Sequence, residues 1–315
     1  MWQFVRQKSC SLCLFFSALG YCLLPGCKSS DITPVVLRVM TYNIHHAEGL
    51  DGKVDLQRIV NVIRQSNADV VALQEVDKNT ERTGGIDMPA ELARLTGMNV
   101  AFGANLDNYQ GGQYGNAILS RFPIESHQNH RLKQVRKGEQ RGVLMAVLKV
   151  TQGQLLFTCT HLDHNKDQAE RLYSEAQFAD IFAGYAGLPT VFCGDFNDTP
   201  DSELYKQLSK KWIDTWNIAG KSNGYTMRSD NPTRRIDYIW LSGKKNFKVR
   251  WMDVPKTKAS DHLPVVAEIR FTPAPHPMST PEIALLTIVM GLLSAILIGI
   301  GLTIFISSRR NKKQE

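Results

Sequence analysis

Eight short apolar runs, at residues 35–42, 69–74, 117–120, 143–150, 155–160, 190–193, 236–241 and 265–271, constrain this chain most strongly. Runs of this length bounded by turn formers read as β-strands rather than helices. Helical segments fall between some of them. Asp55 can cap a helix that carries Leu56, Ile59, Val60 and Ile63 on one face. Asp87 can cap another, with Pro89 in its first turn and Gly97 as its stop. A third is expected over 166–182, with Leu172, Ala176, Ala179 and Phe182 as its apolar stripe. Strands that alternate with helices early and cluster later imply an α/β sandwich with mixed sheets.

Six polar segments stand at the ends of apolar strands: Met40-Thr41-Tyr42-Asn43, Leu73-Gln74-Glu75-Val76, Thr160-His161-Leu162, Gly194-Asp195-Phe196-Asn197, Arg235-Ile236-Asp237-Tyr238 and Ser260-Asp261-His262. Any one alone reads as a turn or a cap. As an ordered set they resemble the motif series of the endonuclease/exonuclease/phosphatase superfamily, over roughly residues 37–269. The run Gly115-Asn116-Ala117-Ile118-Leu119-Ser120-Arg121 adds to the likeness. The resemblance implies a four-layer sandwich, two mixed β-sheets flanked by helices, and a magnesium-dependent phosphoesterase.

Phosphodiester hydrolysis needs an activated water, neutralised phosphoryl oxygens and help for the leaving oxygen. By the resemblance, Glu75 is the main Mg2+ ligand, with Asn43 and Asp261 completing the site and Mn2+ able to substitute. His262 is the general base and Asp237 orients its ring. Asp195 and Asn197 position the water and bind phosphate, and His161 faces the phosphate as charge stabiliser or leaving-group acid. Arg141 either grips phosphate or forms a surface ion pair, and Tyr114 and Asn116 border the cleft. Arg82 serves either substrate or a turn. Some nucleases carry an acid two residues after the first Asn. Here that position is His45, followed by His46, which either line the rim or bind a softer metal such as zinc or manganese.

The two ends read differently. Residues 1–30 look like an export signal or a signal-anchor helix, with Cys27 in a lipobox-like setting. Residues 273–282 are a Pro-rich stalk. Residues 283–306 hold no charge over 24 positions and are followed by Arg309, Arg310, Lys312 and Lys313. This pattern implies a transmembrane helix, a cytoplasmic tail at 307–315 and a catalytic domain at 31–272 outside the cytoplasm. A removable sorting tail is the other reading. Gly291, Ala295 and Gly299 either pack two such helices together or simply face lipid.

The formal charge of +7 largely belongs to these ends, because residues 31–272 carry 30 basic and 28 acidic side chains. That small excess argues against a broad nucleic-acid footprint. Nucleic acid and phospholipid both remain candidate phosphodiester substrates. Arg131, Lys133, Arg136 and Lys137 form one local basic cluster, and Lys244, Lys245 and Lys248 another. A receptor that kept the fold and lost activity is disfavoured, because all eight required positions hold competent residues. Cys159 and Cys193 are expected as buried thiols on neighbouring strands.

Overall fold

The computed structural model describes residues 33–151, 153–242, 247–275 and 280–311. The chain divides into two units, residues 1–274 and 275–315. The expected export signal with Cys27, stalk residues 276–279, Lys244, Lys245 and tail residues 312–315 lie outside the described residues.

In the first unit, one sheet is built from β1 (Val35–Asn43), β2 (Val70–Lys78), β3 (Asn99–Tyr109), β4 (Gly112–Ser120), β11 (Phe247–Asp253) and β12 (Val265–Phe271). Their order across it is β11-β12-β1-β2-β4-β3. The other comprises β5 (Ile124–Arg131), β6 (Gly142–Val150), β7 (Gly153–His161), β8 (Thr190–Asp195), β9 (Trp212–Asp214) and β10 (Asp237–Ser242). Its order is β5-β6-β7-β8-β10-β9. Each sheet is mixed, with β1–β2 parallel in the first and β7–β8 parallel in the second.

Side chains alternate across each strand, so neighbours on one strand enter different cores. Leu37, Val39, Val70 and Ala72 meet Leu144, Phe157, Val191 and Ile239 between the sheets. Met40, Tyr42, Val71 and Leu73 turn outward beneath helices α1 (Leu56–Ser66) and α2 (Met88–Thr96). On the far side, Phe192, Tyr238 and Trp240 pack beneath α3 (Ala169–Ala183) and α4 (Glu203–Lys211). The layers are therefore helix, sheet, sheet, helix. Asp55 caps α1 by accepting the Gln57 N–H, and Asp87 caps α2 by accepting that of Ala90.

Helix α3 departs from expectation. Ala176 and Ala179 are exposed, and the buried face carries Arg171, Ser174, Glu175 and Phe178. Pairing makes this burial tolerable. Arg171 Nε lies 2.9 Å from Asp198 Oδ2, and its Nη1 donates to the carbonyls of Asp163 and Asn165. Glu175 pairs with Lys211 at 3.0 Å. Cys159 and Cys193 face each other across β7 and β8 as buried free thiols.

The second unit contains helix α5 (Thr280–Asn311). Its described side chains are nearly all exposed, mostly apolar, and unbroken only over 287–303, about 25 Å at 1.5 Å per residue. Among the described residues no helix is long and apolar enough to cross a membrane. The spanning helix expected over 283–306 is therefore not found among them. The side chains at 283, 286 and 304–306 lie outside the described set.

Candidate active site

Strand pairing brings the polar segments to one edge of the sandwich. In register, Asn43 ends β1 opposite Gln74, and His161 ends β7 opposite Asp195 at the end of β8. Asp237 starts the antiparallel strand β10 opposite Asp195. The segment 260–262 precedes β12, which runs antiparallel to β1 and so begins at the same edge. Close approach of β7 and β8 requires Gly194, where a Cβ would sit 2.2 Å from the Thr160 carbonyl oxygen.

A β-bulge aims Glu75. Leu73 pairs with Ala117 and Val76 with Gly115, so Gln74 and Glu75 together face Asn116. Glu75 takes φ +59°, a left-handed conformation that costs a non-glycine residue of order 1–3 kcal/mol. Its carboxylate Oε1 accepts the Asn43 amide Nδ2 at 2.9 Å.

The same amide nitrogen lies 3.1 Å from Asp195 Oδ2. Asp195 stands between two histidines, with His161 Nε2 and His262 Nε2 each 3.6 Å from Oδ2. Its Oδ1 accepts the Asn197 backbone N–H at 2.9 Å, while the Asn197 side chain donates to the Leu162 carbonyl. His262 Nδ1 lies 2.9 Å from Asp237 Oδ2. Asp237 Oδ1 and His161 Nδ1 are buried with no protein hydrogen-bond partner.

Electrostatics separate the two histidines. Burial works against a charged His262, yet the carboxylates of Asp237 and Asp195 overcome it and raise its pKa to about 10. His161 is pushed well below the ordinary histidine value by burial, then by Arg141 and His262, so it stays neutral. The expected charge-stabilising role therefore does not suit His161, and the permanent positive charge belongs to Arg141. Asp195 is raised to about 7, first by burial and then by the charge of Asp237.

Arg141 is buried, which rules out a surface ion pair. Its Nη1 lies 2.8 Å from Glu139 Oε1 in an ion pair, its Nη2 meets His164 Nδ1 at 3.1 Å, and its Nε has no partner. Burial also keeps the Tyr114 phenol protonated, reinforced by the Glu75 charge. Asn116 donates to the Gly142 carbonyl at 3.4 Å, leaving its own oxygen unpartnered. Arg82 forks onto Asp77 at 2.7 and 2.8 Å, and its guanidinium lies 5.5 Å from the Tyr114 ring.

Three residues escape sequence reasoning. Ser260 donates to the Asn43 carbonyl at 2.8 Å and accepts the His262 N–H at 3.1 Å, joining two motif segments. Its only signal is adjacency to Asp261 and His262. Glu139 and His164 hold Arg141 from separate loops, and no spacing marks either of them.

The sequence pattern of the endonuclease/exonuclease/phosphatase family is matched over residues 40–262. The chain belongs to this family. Its members are hydrolases acting on phosphoester bonds, typically with divalent metals. Similar proteins include the uncharacterized YbhP of Escherichia coli K12, 28% identical over 247 residues, covering 74% of this chain and 95% of that one. A family member from Beutenbergia cavernae has a solved structure with TM-score 0.65 and 26% identity, covering 76% of this chain and 72% of that one. A mannosyl-6-phosphatase of Bacteroides thetaiotaomicron shares the fold, with TM-score 0.62, 22% identity and coverage of 74% and 99%.

The family's divalent ion fits the residues present. Asp237, Asp195 and Asp261 act on the His262 imidazolium, and Glu75 joins Asp195 through the Asn43 amide, a collection of carboxyl groups whose charge a cation would offset. Among the described residues, two groups offer three ligand atoms within 4.8 Å of one another: Asp195 with Asp237 and His262, and His45 with His46 and Glu75. Asp261 lies 3.5 Å from the Ser260 hydroxyl, beside His262.

Proposed function

We propose that this chain is a divalent-metal-dependent phosphoesterase that hydrolyses phosphodiesters by attack of water, with phosphomonoesters as the second substrate class. One observation carries the reading: Asn43 bridges Glu75 and Asp195, and Asp195 in turn faces His161 and the Asp237-bound His262. Glu75, Asn43 and Asp261 would hold the ion, with Mg2+ preferred by hard oxygen donors and Mn2+ able to replace it. Bound there, the ion supplies positive charge against the phosphoryl oxygens and lowers the proton affinity of His262.

The remaining work falls to side chains. To take the proton of the attacking water through Nε2, His262 must first be unprotonated, which the ion's charge would favour, and Asp195 is electrostatically coupled to it. Asp237 fixes the His262 ring from behind. Asn197 turns Asp195 toward the histidines through its backbone N–H. Neutral His161 hydrogen-bonds a phosphoryl oxygen, and Arg141 offers its free Nε as the fixed charge. Tyr114 and Asn116 line the approach.

On this reading the protein is exported and held at a membrane by its C-terminal helix. The uncharged run at 283–306 and the basic residues after it support this. A phospholipid-type phosphodiester is favoured over nucleic acid, because residues 31–272 carry 30 basic against 28 acidic side chains, a net of only +2. Within the first basic cluster, Arg131 and Arg136 are already paired with Asp107 and Asp167.

The test is hydrolysis by the purified full-length chain with magnesium, comparing a phospholipid dispersion, double-stranded DNA and bis-p-nitrophenyl phosphate. EDTA-sensitive cleavage that disappears in His262→Ala is expected. No hydrolysis of any phosphoester with any divalent metal would refute the reading.

A further inference from the structure

Hydrolysis as described leaves the loop after β1 unused, and that loop is unusual. His45, His46 and Ala47 take φ values of +46°, +42° and +63°, three consecutive left-handed residues without a glycine. This path brings both imidazoles beside Glu75, with one ligand atom from each residue within 4.8 Å of the others. The two rings meet edge to face, 4.5 Å apart at 63°.

His46 is the informative member. Its side chain is only 9% exposed, and its Nδ1 has no hydrogen-bond partner. Its Nε2 makes a single long contact, 3.4 Å to Glu48 Oε2. A buried ring nitrogen without a partner is costly unless a ligand satisfies it. Two imidazoles and one carboxylate form a donor set suited to a borderline cation such as zinc, and ill suited to magnesium, which prefers oxygen.

We propose that His45, His46 and Glu75 form a second cation site, selective for zinc-like metals, with Glu75 shared between it and the oxygen-rich site of Asn43 and Asp261. Three protein ligands leave a fourth tetrahedral position open to water or to a phosphoryl oxygen of the substrate. The proposal rests on the phosphoesterase reading only through the shared carboxylate, and its test reads binding rather than turnover.

Tag-free full-length protein is dialysed against zinc under a large magnesium excess, and retained zinc is measured by atomic emission. The comparison is the double variant His45→Asn/His46→Asn, since asparagine tolerates left-handed backbone but is a poor zinc ligand. Wild type is expected to retain one zinc more than the variant. Losing both imidazoles weakens zinc by at least about a hundredfold, because even outer-shell changes cost 10–100-fold. No zinc on the wild type, or equal zinc on both proteins, overturns the proposal. Circular dichroism checks folding. Where the double variant does not fold, half-buried His45→Asn alone serves, with a loss of about tenfold or more expected and an unchanged affinity overturning the site. A zinc difference without any magnesium-dependent hydrolysis would sink the phosphoesterase and spare this site; hydrolysis without the zinc difference would do the reverse.

Discussion

Asp237→Asn isolates the contribution of one buried charge to the reaction. Asp237 Oδ2 lies 2.9 Å from His262 Nδ1, and both residues are buried. At an effective dielectric near 20, two unit charges at that distance attract by about 6 kcal/mol. The rise of His262 from 6.5 to about 10 corresponds to about 5 kcal/mol at 1.36 kcal/mol per pH unit. That rise is the net of Asp237, Asp195 and Asp261 acting against burial, so the two figures are comparable only in scale. The amide keeps the shape and removes the charge, so His262 should fall back toward or below its ordinary value. It can also present an N–H to Nδ1 and impose the wrong tautomer. Turnover should drop by roughly a thousandfold to ten-thousandfold, the scale seen for the equivalent change in a serine protease. The assay pairs magnesium-dependent hydrolysis of bis-p-nitrophenyl phosphate with an NMR titration of the His262 ring. An unmoved titration, or turnover within about tenfold of wild type, would refute the reasoning.

Glu75→Gln should raise the magnesium concentration needed for half-maximal hydrolysis by at least about tenfold, since a carboxylate ligand becomes neutral; an unchanged metal titration counts against the ligand role. Asp195 has its folded pKa raised to about 7, so its stabilising contribution is present below the unfolded value of 3.8 and lost as pH rises through 7. Metal-free Asp195→Asn should therefore melt above metal-free wild type at about pH 8 and lose that advantage near pH 4. A gap that does not change with pH would contradict the assigned burial. Arg171→Ala strands the largely buried Asp198 and two carbonyls and should cost about 3–5 kcal/mol. Chemical denaturation reads it, and a loss under about 1 kcal/mol would show the network to be dispensable.

The eight strands legible in the sequence, β1, β2, β4, β6, β7, β8, β10 and β12, all lie inside the two sheets. Interior strands meet apolar layers on both faces, so their residues form continuous apolar runs. The other four strands in those two orders, β3, β5, β9 and β11, lack such a run and lie at the ends of the orders. An edge such as Ile124–Arg131 is mostly exposed and reads Ile-Glu-Ser-His-Gln-Asn-His-Arg, which carries no apolar run at all. Helix caps at Asp55 and Asp87 are legible because a cap is local chemistry within three residues. The buried face of α3 is not, because Arg171 and Glu175 are buried only through partners distant in sequence, Asp198 and Lys211.

The candidate site divides in the same way. Residue types at strand ends, from Asn43 to His262, were determined by the sequence, since reaction chemistry dictates which groups can serve. Tertiary structure alone decided what each group's environment does to it. Nothing local distinguishes His161 from His262; strand register sets one against Arg141 and the other against Asp237, so one is held neutral and the other charged. Likewise Glu75 reaches Asn43 because a bulge against β4 redirects it, and Arg141 is gripped by Glu139 and His164 from separate loops. Charge and hydrogen bonding act through space over a few ångströms, and only the folded chain brings residues so far apart in sequence within that distance.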